Sequence, residues 1–485
     1  MPKTLIKRGV ALAVAAVLAG CAVGPNYKRP ETPAAPQFTG AEASTYSTDQ
    51  QVVAQFWTQF NDETLNQLVS DALQANHDLR IALGHLVEAR AARRESMFDL
   101  APTVTAQGGH TNELVPKVQA GFPFSASYYD AGFDATWELD LFGRVRRSVE
   151  AAHAQTEEAV ESRNDALVSL EAEVAQTYMR LRGAQALRQI TQGLVDQQRD
   201  IVALTQDQAK VGLASQLDVK SAAAQYAQTQ AQLPQYDQQT QQALNALAYL
   251  LGEPPGSLAD ELSTPAALPP VPPSVPVGLP STLARRRPDI RRAEQSLHAA
   301  TAGVGVAVAQ FYPDISLTGQ AGTRATNASG LTHWSSLFYS FGPSISLPIF
   351  EGGSLVANLH LSQAQQQQAA LDYRKTVLTA LRDVDNALVV YRTDQARQAS
   401  LGDSVAAQQA AFELARDSYR KGLVTFINLL DAERQLSDAQ QQYAQETMQV
   451  STDLVALYKA LGGGWQPGEN ATGATDAVPA KTPGG

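Results

Sequence analysis

The chain has 485 residues, 44% of them hydrophobic and 18% charged, which allows two or three ordinary domains and excludes a generally disordered polymer. Its formal charge of −11 becomes −14 once Lys3, Lys7 and Arg8 leave with an amino-terminal leader, an acidic balance that argues against binding nucleic-acid phosphates. A lone cysteine, Cys21, excludes an intrachain disulfide and a cysteine-based metal site.

Lys3, Lys7 and Arg8 precede an apolar run, Val10 to Ala19, that ends in Leu18-Ala19-Gly20-Cys21. Residues 1–20 therefore read as a signal peptide with a lipobox, because the run is shorter than the roughly 20 apolar residues of a spanning helix. Small residues before a cysteine suit cleavage and acylation of the new terminal thiol. Covalent lipid on Cys21 is the only attached group expected, and no cofactor is. Residue 22 is Ala rather than Asp, so nothing marks the lipoprotein for retention at the inner membrane. Residues 21–62 form the lipidated amino-terminal segment. No later apolar run is long enough for a membrane helix, so any membrane passage falls to strands.

The rest reads as one unit written twice, 63–252 and 283–462, joined by a connector, 253–282, that holds nine prolines and is expected to lack regular structure. Lys210-Val-Gly-Leu-Ala-Ser-Gln-Leu-Asp-Val219 resembles Arg420-Lys-Gly-Leu-Val-Thr-Phe-Ile-Asn-Leu429, with Gly212 and Gly422 210 residues apart. Val174 with Val384, Arg182 with Arg392, Gly143 with Gly353, and Leu251-Gly252 with Leu461-Gly462 keep that offset. Upstream it becomes 211, as for Pro102 and Pro313, which a one-residue loop difference explains.

Each copy holds a helix, two strands and a long helical hairpin. Between helices, Asp130 to Leu141 alternate strictly: Asp130, Asp134, Glu138 and Asp140 point one way, and Phe133, Trp137, Leu139 and Leu141 the other. Shorter alternations occur at Thr103 to Gln107, Asp314 to Gln320 and Ser344 to Ile349. About ten alternating residues is the length of a tilted membrane strand, and Phe122, Phe124, Tyr128 and Tyr129, or Trp334, Phe338, Tyr339 and Phe341, would supply an interfacial aromatic belt. A half-buried soluble sheet would alternate too.

Downstream of the strands, Val160, Leu167, Val174, Leu181, Arg188, Val195, Val202 and Ala209 fall seven apart, and the second copy repeats the phase from Ala370 to Tyr419 with its polar residue, Gln398, at the equivalent place. This is a coiled-coil pattern. A proline-free helix from Arg144 to Ala209 would reach about 100 Å at 1.5 Å per residue. Gly212 and Gly422 stop the outgoing helices, and return helices run to Leu251 and Leu461. A tail, 463–485, is expected to be disordered.

Four strands cannot close a barrel, and lipid leaves no backbone group unpaired, so a homotrimer of twelve strands continued by twelve helices is expected. No P-loop, nucleophile elbow or HExxH occurs, and no two of the seven histidines stand at i, i+4. Neither catalytic nor metal-binding residues are expected. The arginines at 285, 286, 287, 291 and 292 read as partners for nearby carboxylates.

Cys21-Ala-Val-Gly-Pro-Asn-Tyr-Lys-Arg-Pro30, Phe56-Trp57, Leu283-Ala-Arg-Arg-Arg-Pro-Asp-Ile-Arg-Arg-Ala-Glu294, Phe311-Tyr-Pro-Asp-Ile315 and the two glycine tips resemble, in this order, the TolC-type outer-membrane efflux proteins. The likeness is to their lipoprotein (NodT-like) branch, which serves resistance-nodulation-division pumps. It implies a mainly α protein with a small membrane β-barrel portion, lipid-anchored in the outer membrane of a Gram-negative bacterium and extending into the periplasm. It implies a non-enzymatic duct for small molecules, drugs or toxic organic compounds, handed on by an inner-membrane pump and a periplasmic adaptor. Ducts for protein secretion or metal-ion efflux are the alternatives. By the same resemblance Ile427 and Asp431 match the narrowest apolar and acidic rings of a periplasmic gate. Three symmetry-related carboxylates there would repel, so closure would need a compensating contact from Arg434 or Arg420. Val211, Gly212 and Leu213, with Lys421, Gly422 and Leu423, match the adaptor-docking tips. Differences between the copies, Asp218 against Asn428 and Ser221 against Asp431, are where a gate would be built.

Overall fold

The computed structural model describes residues 22–31, 38, 46–47, 54–115, 122, 124–272, 275–278 and 280–465. The signal peptide, Cys21 and the end of the tail lie outside them. The main elements are α1 (Glu63–Ala75), α2 (His77–Phe98), β1 (Thr103–Val115), β2 (Phe124–Glu138), α3 (Arg144–Lys210), α4 (Gln216–Gln230), α5 (Leu233–Leu250), α6 (Pro288–Ala309), β3 (Asp314–Ala325), β4 (Leu337–Ser346), α7 (Ser354–Arg420) and α8 (Phe426–Ala460). They form two compact units, each drawing on both copies: one holds Gly84–Val160 and Arg292–Lys375 with the amino-terminal segment to Glu31, the other Glu161–Arg291 and the chain from Thr376 with residues up to Leu83.

The first unit contains an antiparallel sheet of order β1-β2-β3-β4. The register runs without a bulge, Asp134 facing Thr105 and Gln320, Phe133 facing Ala106 and Ala321, so paired residues share a face across all four strands. At the centre, Gly132 pairs with Gly322. A Cβ on Gly132 would lie 2.7 Å from the Ala321 carbonyl oxygen and one on Gly322 2.5 Å from that of Ala131, so both strands need glycine to approach.

Two expectations about the strands change. β2 ends at Glu138, two residues before Asp140, because the Asp140 carboxylate turns to accept from the Arg146 backbone N–H at 2.8 Å and satisfies the opening turn of α3. The aromatic belt also divides. Neighbours on a strand face opposite ways, so Tyr128 and Phe338 join the acidic face while Tyr129, Tyr339 and Phe341 stay on the apolar one.

In the same unit, residues 22–29 are strapped down beside the start of α3. The Val23 N–H donates to the Phe142 carbonyl at 3.0 Å, and Arg147 donates to the Val23 carbonyl and to Asn26. Tyr27 stacks on His298 at 4.3 Å, and Arg29 pairs with Glu294 at 2.8 Å.

In the second unit the seven-residue stripe is the packed seam: Val174, Leu181 and Val195 of α3, and Val384, Tyr391, Phe412 and Tyr419 of α7, are buried. The polar interruptions each reach the return helix, Arg188 to Asp237 at 2.5 Å and Gln398 to Thr447 at 3.0 Å, and these are equivalent bonds in the two copies. The return helix of copy one is not continuous as expected. Pro234 lacks an N–H and its ring crowds the preceding turn, so the return splits into α4 and α5; copy two has Ala444 there and runs unbroken from Phe426 to Ala460. In the arginine cluster that opens the second copy, Arg287 pairs with Asp289 at 2.7 Å and Arg291 with Glu161 at 2.5 Å.

Gly132→Val places a branched side chain against the neighbouring backbone. The expected result is loss of folded, heat-resistant protein from the outer-membrane fraction, against near-normal yield for a Gly109→Ala control, whose added Cβ meets only the Asp130 side chain. Gel migration with and without heating reads the difference.

Candidate functional site

The sheet has two chemically distinct faces. One carries Val104, Ala131, Phe133, Ala135, Trp137, Ile315, Leu317, Ala321, Tyr339, Phe341 and Ile345; the other carries Thr103, Thr105, Gln107, Glu113, Asp130, Asp134, Glu138, Ser316, Thr318, Gln320, Arg324, Ser340 and Ser344. The apolar face is bare: Phe133 is 63% exposed, Tyr339 74% and Phe341 79%. An uncovered apolar face backed by a polar one suits a wall between hydrocarbon and water. No helix among the described residues is long and apolar enough to cross a membrane. β1 and β4 are the edges, each paired on one side only. At the helix end of the polar face Arg144 bonds Glu138 through both Nε and Nη2, and a cleft of about 440 Å³ is lined by Asp140, Asp314, Glu351 and Asn358.

In the second unit the hairpin tips match each other closely. The Leu213 N–H donates to the Gln208 carbonyl and the Gly212 N–H to Ala209; Leu423 and Gly422 do the same to Ser418 and Tyr419. These are Schellman caps, and they require the positive φ of 74° at Gly212 and 73° at Gly422. Val211, Leu213 and Leu423 point outward, each at least 70% exposed, and Lys421 is exposed beside Asp417. The tips differ one turn later. Ser215 and Asp218 form a complete capping box, which engages the Asp218 carboxylate locally, whereas Thr425 makes no side-chain cap and Asn428 replaces the acid.

Beyond the second tip, Ile427 and Asp431 lie four apart on an exposed face of α8, Ile427 being 62% exposed. Asp431 accepts from Gln435 Nε2 at 2.8 Å, and Arg434 donates to Gln225 of copy one at 2.8 Å rather than to Asp431. The tip is stiffened behind this face by Ile201, Ala222, Phe412, Tyr419, Phe426, Leu429, Leu430 and Leu436. Sequence reasoning missed Glu433, two residues past Asp431, which is buried against Gln198 of α3; burial raises its carboxyl above the usual range. Only the pairing of hairpins 235 residues apart reveals that contact. No group of His, Cys, Asp or Glu able to hold a metal occurs among the described residues.

The outer membrane efflux protein family model matches residues 68–253 and 279–463. The chain is 37% identical to the toluene efflux pump outer membrane protein TtgC and to the antibiotic efflux pump outer membrane protein ArpC, both of Pseudomonas putida, each over 96% of this chain and 96% of the relative. Among solved structures it superimposes on the outer-membrane channel OprN with a TM-score of 0.88 and 38% identity, covering 92% of this chain and 100% of that one.

A second polar cluster also went unread. Between α7 and α8, Asp453 hydrogen-bonds with Asp394 and Gln449, with Glu446 nearby and Arg397 on Glu446 at 3.0 Å. The equivalents in copy one are Ala243, Ala184, Tyr236 and Leu187, all buried and without charge. Burial, then the Asp394 partner, pushes the Asp453 carboxyl up to about 7 from 3.8. Between those values the folded chain holds a proton that the unfolded chain has released, so stability falls as pH rises through that window and levels off above it. Asp453→Asn is expected to leave stability near pH 4 unchanged and to raise it at pH 8 by about 1–2 kcal/mol, a figure discounted for solvent screening. Thermal melts of the purified protein followed by helical circular dichroism at the two pH values check this.

Proposed function

The chain belongs to the outer membrane efflux proteins, and we propose that it forms the exit duct of a tripartite efflux system, working as a homotrimer. It is an outer-membrane channel of TolC-like fold. The observation that carries the trimer is the two-faced sheet with both edges open. Three copies joined β4 to β1 would give twelve strands, pair every edge group, put the apolar face in lipid and enclose the polar face as a lumen. The helices would continue the wall as a ring of twelve. Lipid on Cys21 would enter the same membrane, and the strap over residues 22–29 supports this by holding the next residue beside the start of α3.

The cargo is small organic molecules, a reading supported by relatives named for toluene and antibiotics. The duct receives them from an inner-membrane pump of the resistance-nodulation-division type and a periplasmic adaptor that docks on Val211, Gly212, Leu213, Lys421, Gly422 and Leu423. The exposed leucines on capped, rigid turns suit such docking, since little order is lost on binding. Ile427 and Asp431 narrow the periplasmic entrance. Three carboxylates near one axis repel, so closure needs a compensating contact, and Arg434 sits one helical turn away.

Two measurements test this. Asp431→Ala channels in planar bilayers are expected to conduct more than wild type, and equal conductance sinks the gate. Gly212→Trp is expected to leave trimers intact but to abolish solvent tolerance in a host carrying the pump and adaptor; retained tolerance removes the docking role.

A further inference from the structure

Among the described residues, the polar face of the sheet carries a single cation. Arg324 lies at the hairpin end of β3, away from the helices, directly across from Asp130 on β2. Its guanidinium stands 4.7 Å from the centroid of Tyr128 and 5.2 Å from that of Phe338, so rings from β2 and β4 flank it. A guanidinium stacked on aromatic faces keeps its charge and leaves its N–H edge available to an anionic or polar partner. Beside it the Gly132 and Gly322 pair leaves the polar face bare.

The duplication gives this placement a further property. Thr111 pairs with Tyr128 in copy one as Gly322 pairs with Phe338 in copy two, which makes Tyr128 and Phe338 equivalent positions. By the same register Arg324 is the equivalent of Glu113. Each chain therefore sets two aromatic rings at one level and, beside them, one acid and one base at matching positions.

We propose that this level is a charge filter at the distal mouth of the duct, in which Arg324 lets anionic and neutral aromatic cargo pass a wall that is otherwise acidic. The inference rests on the proposed closure of three copies, which would alternate three Glu113 and three Arg324 around a girdle of six rings. Without Arg324 the polar face holds only Glu113, Asp130, Asp134 and Glu138 as charges on its strands between residues 103 and 138 and β3 to β4 adds none beyond Asp314. Such a wall concentrates cations and repels anions within a Debye length of about 8–10 Å.

The test uses the purified full-length protein in planar bilayers under a KCl gradient. Arg324→Gln is expected to raise the potassium-to-chloride permeability ratio roughly twofold or more, while Arg324→Lys, which keeps the charge, stays near wild type. Glu113→Gln is expected to move the ratio the opposite way. An unchanged ratio in Arg324→Gln channels of normal conductance overturns the filter. If Arg324→Gln does not insert, the Glu113→Gln ratio decides: a fall supports the filter and no change overturns it. Absence of any conductance from the wild type would instead count against the duct itself.

Discussion

The unpaired edges of β1 and β4 govern what this chain can be. β1 presents 13 residues and β4 presents 10, and in hydrocarbon each unsatisfied N–H or carbonyl costs several kcal/mol. A handful of such groups would exceed the roughly 5–15 kcal/mol by which a protein is stable at all. The apolar face cannot enter lipid, and the polar face cannot hold water inside it, until the edges find strands. In the proposed trimer, folding of the sheet and assembly of the copies would be a single equilibrium. Gly132 and Gly322 serve the same end, since they let the two central strands approach where any side chain would hold them apart.

Duplication answers the edge problem economically, but the copies are not equal, and the inequalities are where chemistry enters. Pro234 breaks the return helix of copy one where Ala444 leaves that of copy two whole. Copy one packs Ala184, Leu187, Tyr236 and Ala243 where copy two buries Glu446 and Asp453 against a half-buried Asp394 and an exposed Arg397. Copy one caps its tip with Ser215 and Asp218 while copy two leaves Thr425 without a side-chain bond. The last two changes make the second hairpin the one with unmet or conditional polar demands. A perfectly sixfold wall would offer no position at which one hairpin responds and its neighbour does not.

The helices and strands were legible because their periods are dictated by burial: seven residues for the packed seam from Val174 to Tyr419, two for the face from Ala131 to Trp137. What was not legible depended on registers between segments. Tyr128 and Tyr129 are equally aromatic, and which of them faces the acids follows only once β2 is seen to run unbroken from Phe124, so that Tyr128 keeps the alternation of Asp130 and Asp134. Asp140 continued the alternation, yet its carboxylate satisfies α3 and ends the strand instead. Pro234 was visible as a letter, but the pattern of apolar residues from Tyr236 to Leu250 masked its effect on the helix. Gln198 with Glu433, and Asp394 with Asp453, are distant in sequence and meet only once hairpins are laid side by side.

The equivalent bonds from Arg188 to Asp237 and from Gln398 to Thr447 show how such hairpins stay in register. A stripe of apolar residues every seven positions is nearly indifferent to a slip of one repeat, because each knob meets a similar hole. A polar residue set into the stripe is not indifferent, since a slip leaves it facing apolar side chains with no partner. Arg188 and Gln398 are the only polar members of their stripes between Val160 and Ala209 and between Ala370 and Tyr419. They contribute little attraction where exposed, but they rank the alignments. With register held this way, the tips beyond them can present Leu213, Leu423, Ile427 and Asp431 at a fixed height, and a rigid tip on a hairpin moves as one piece or not at all.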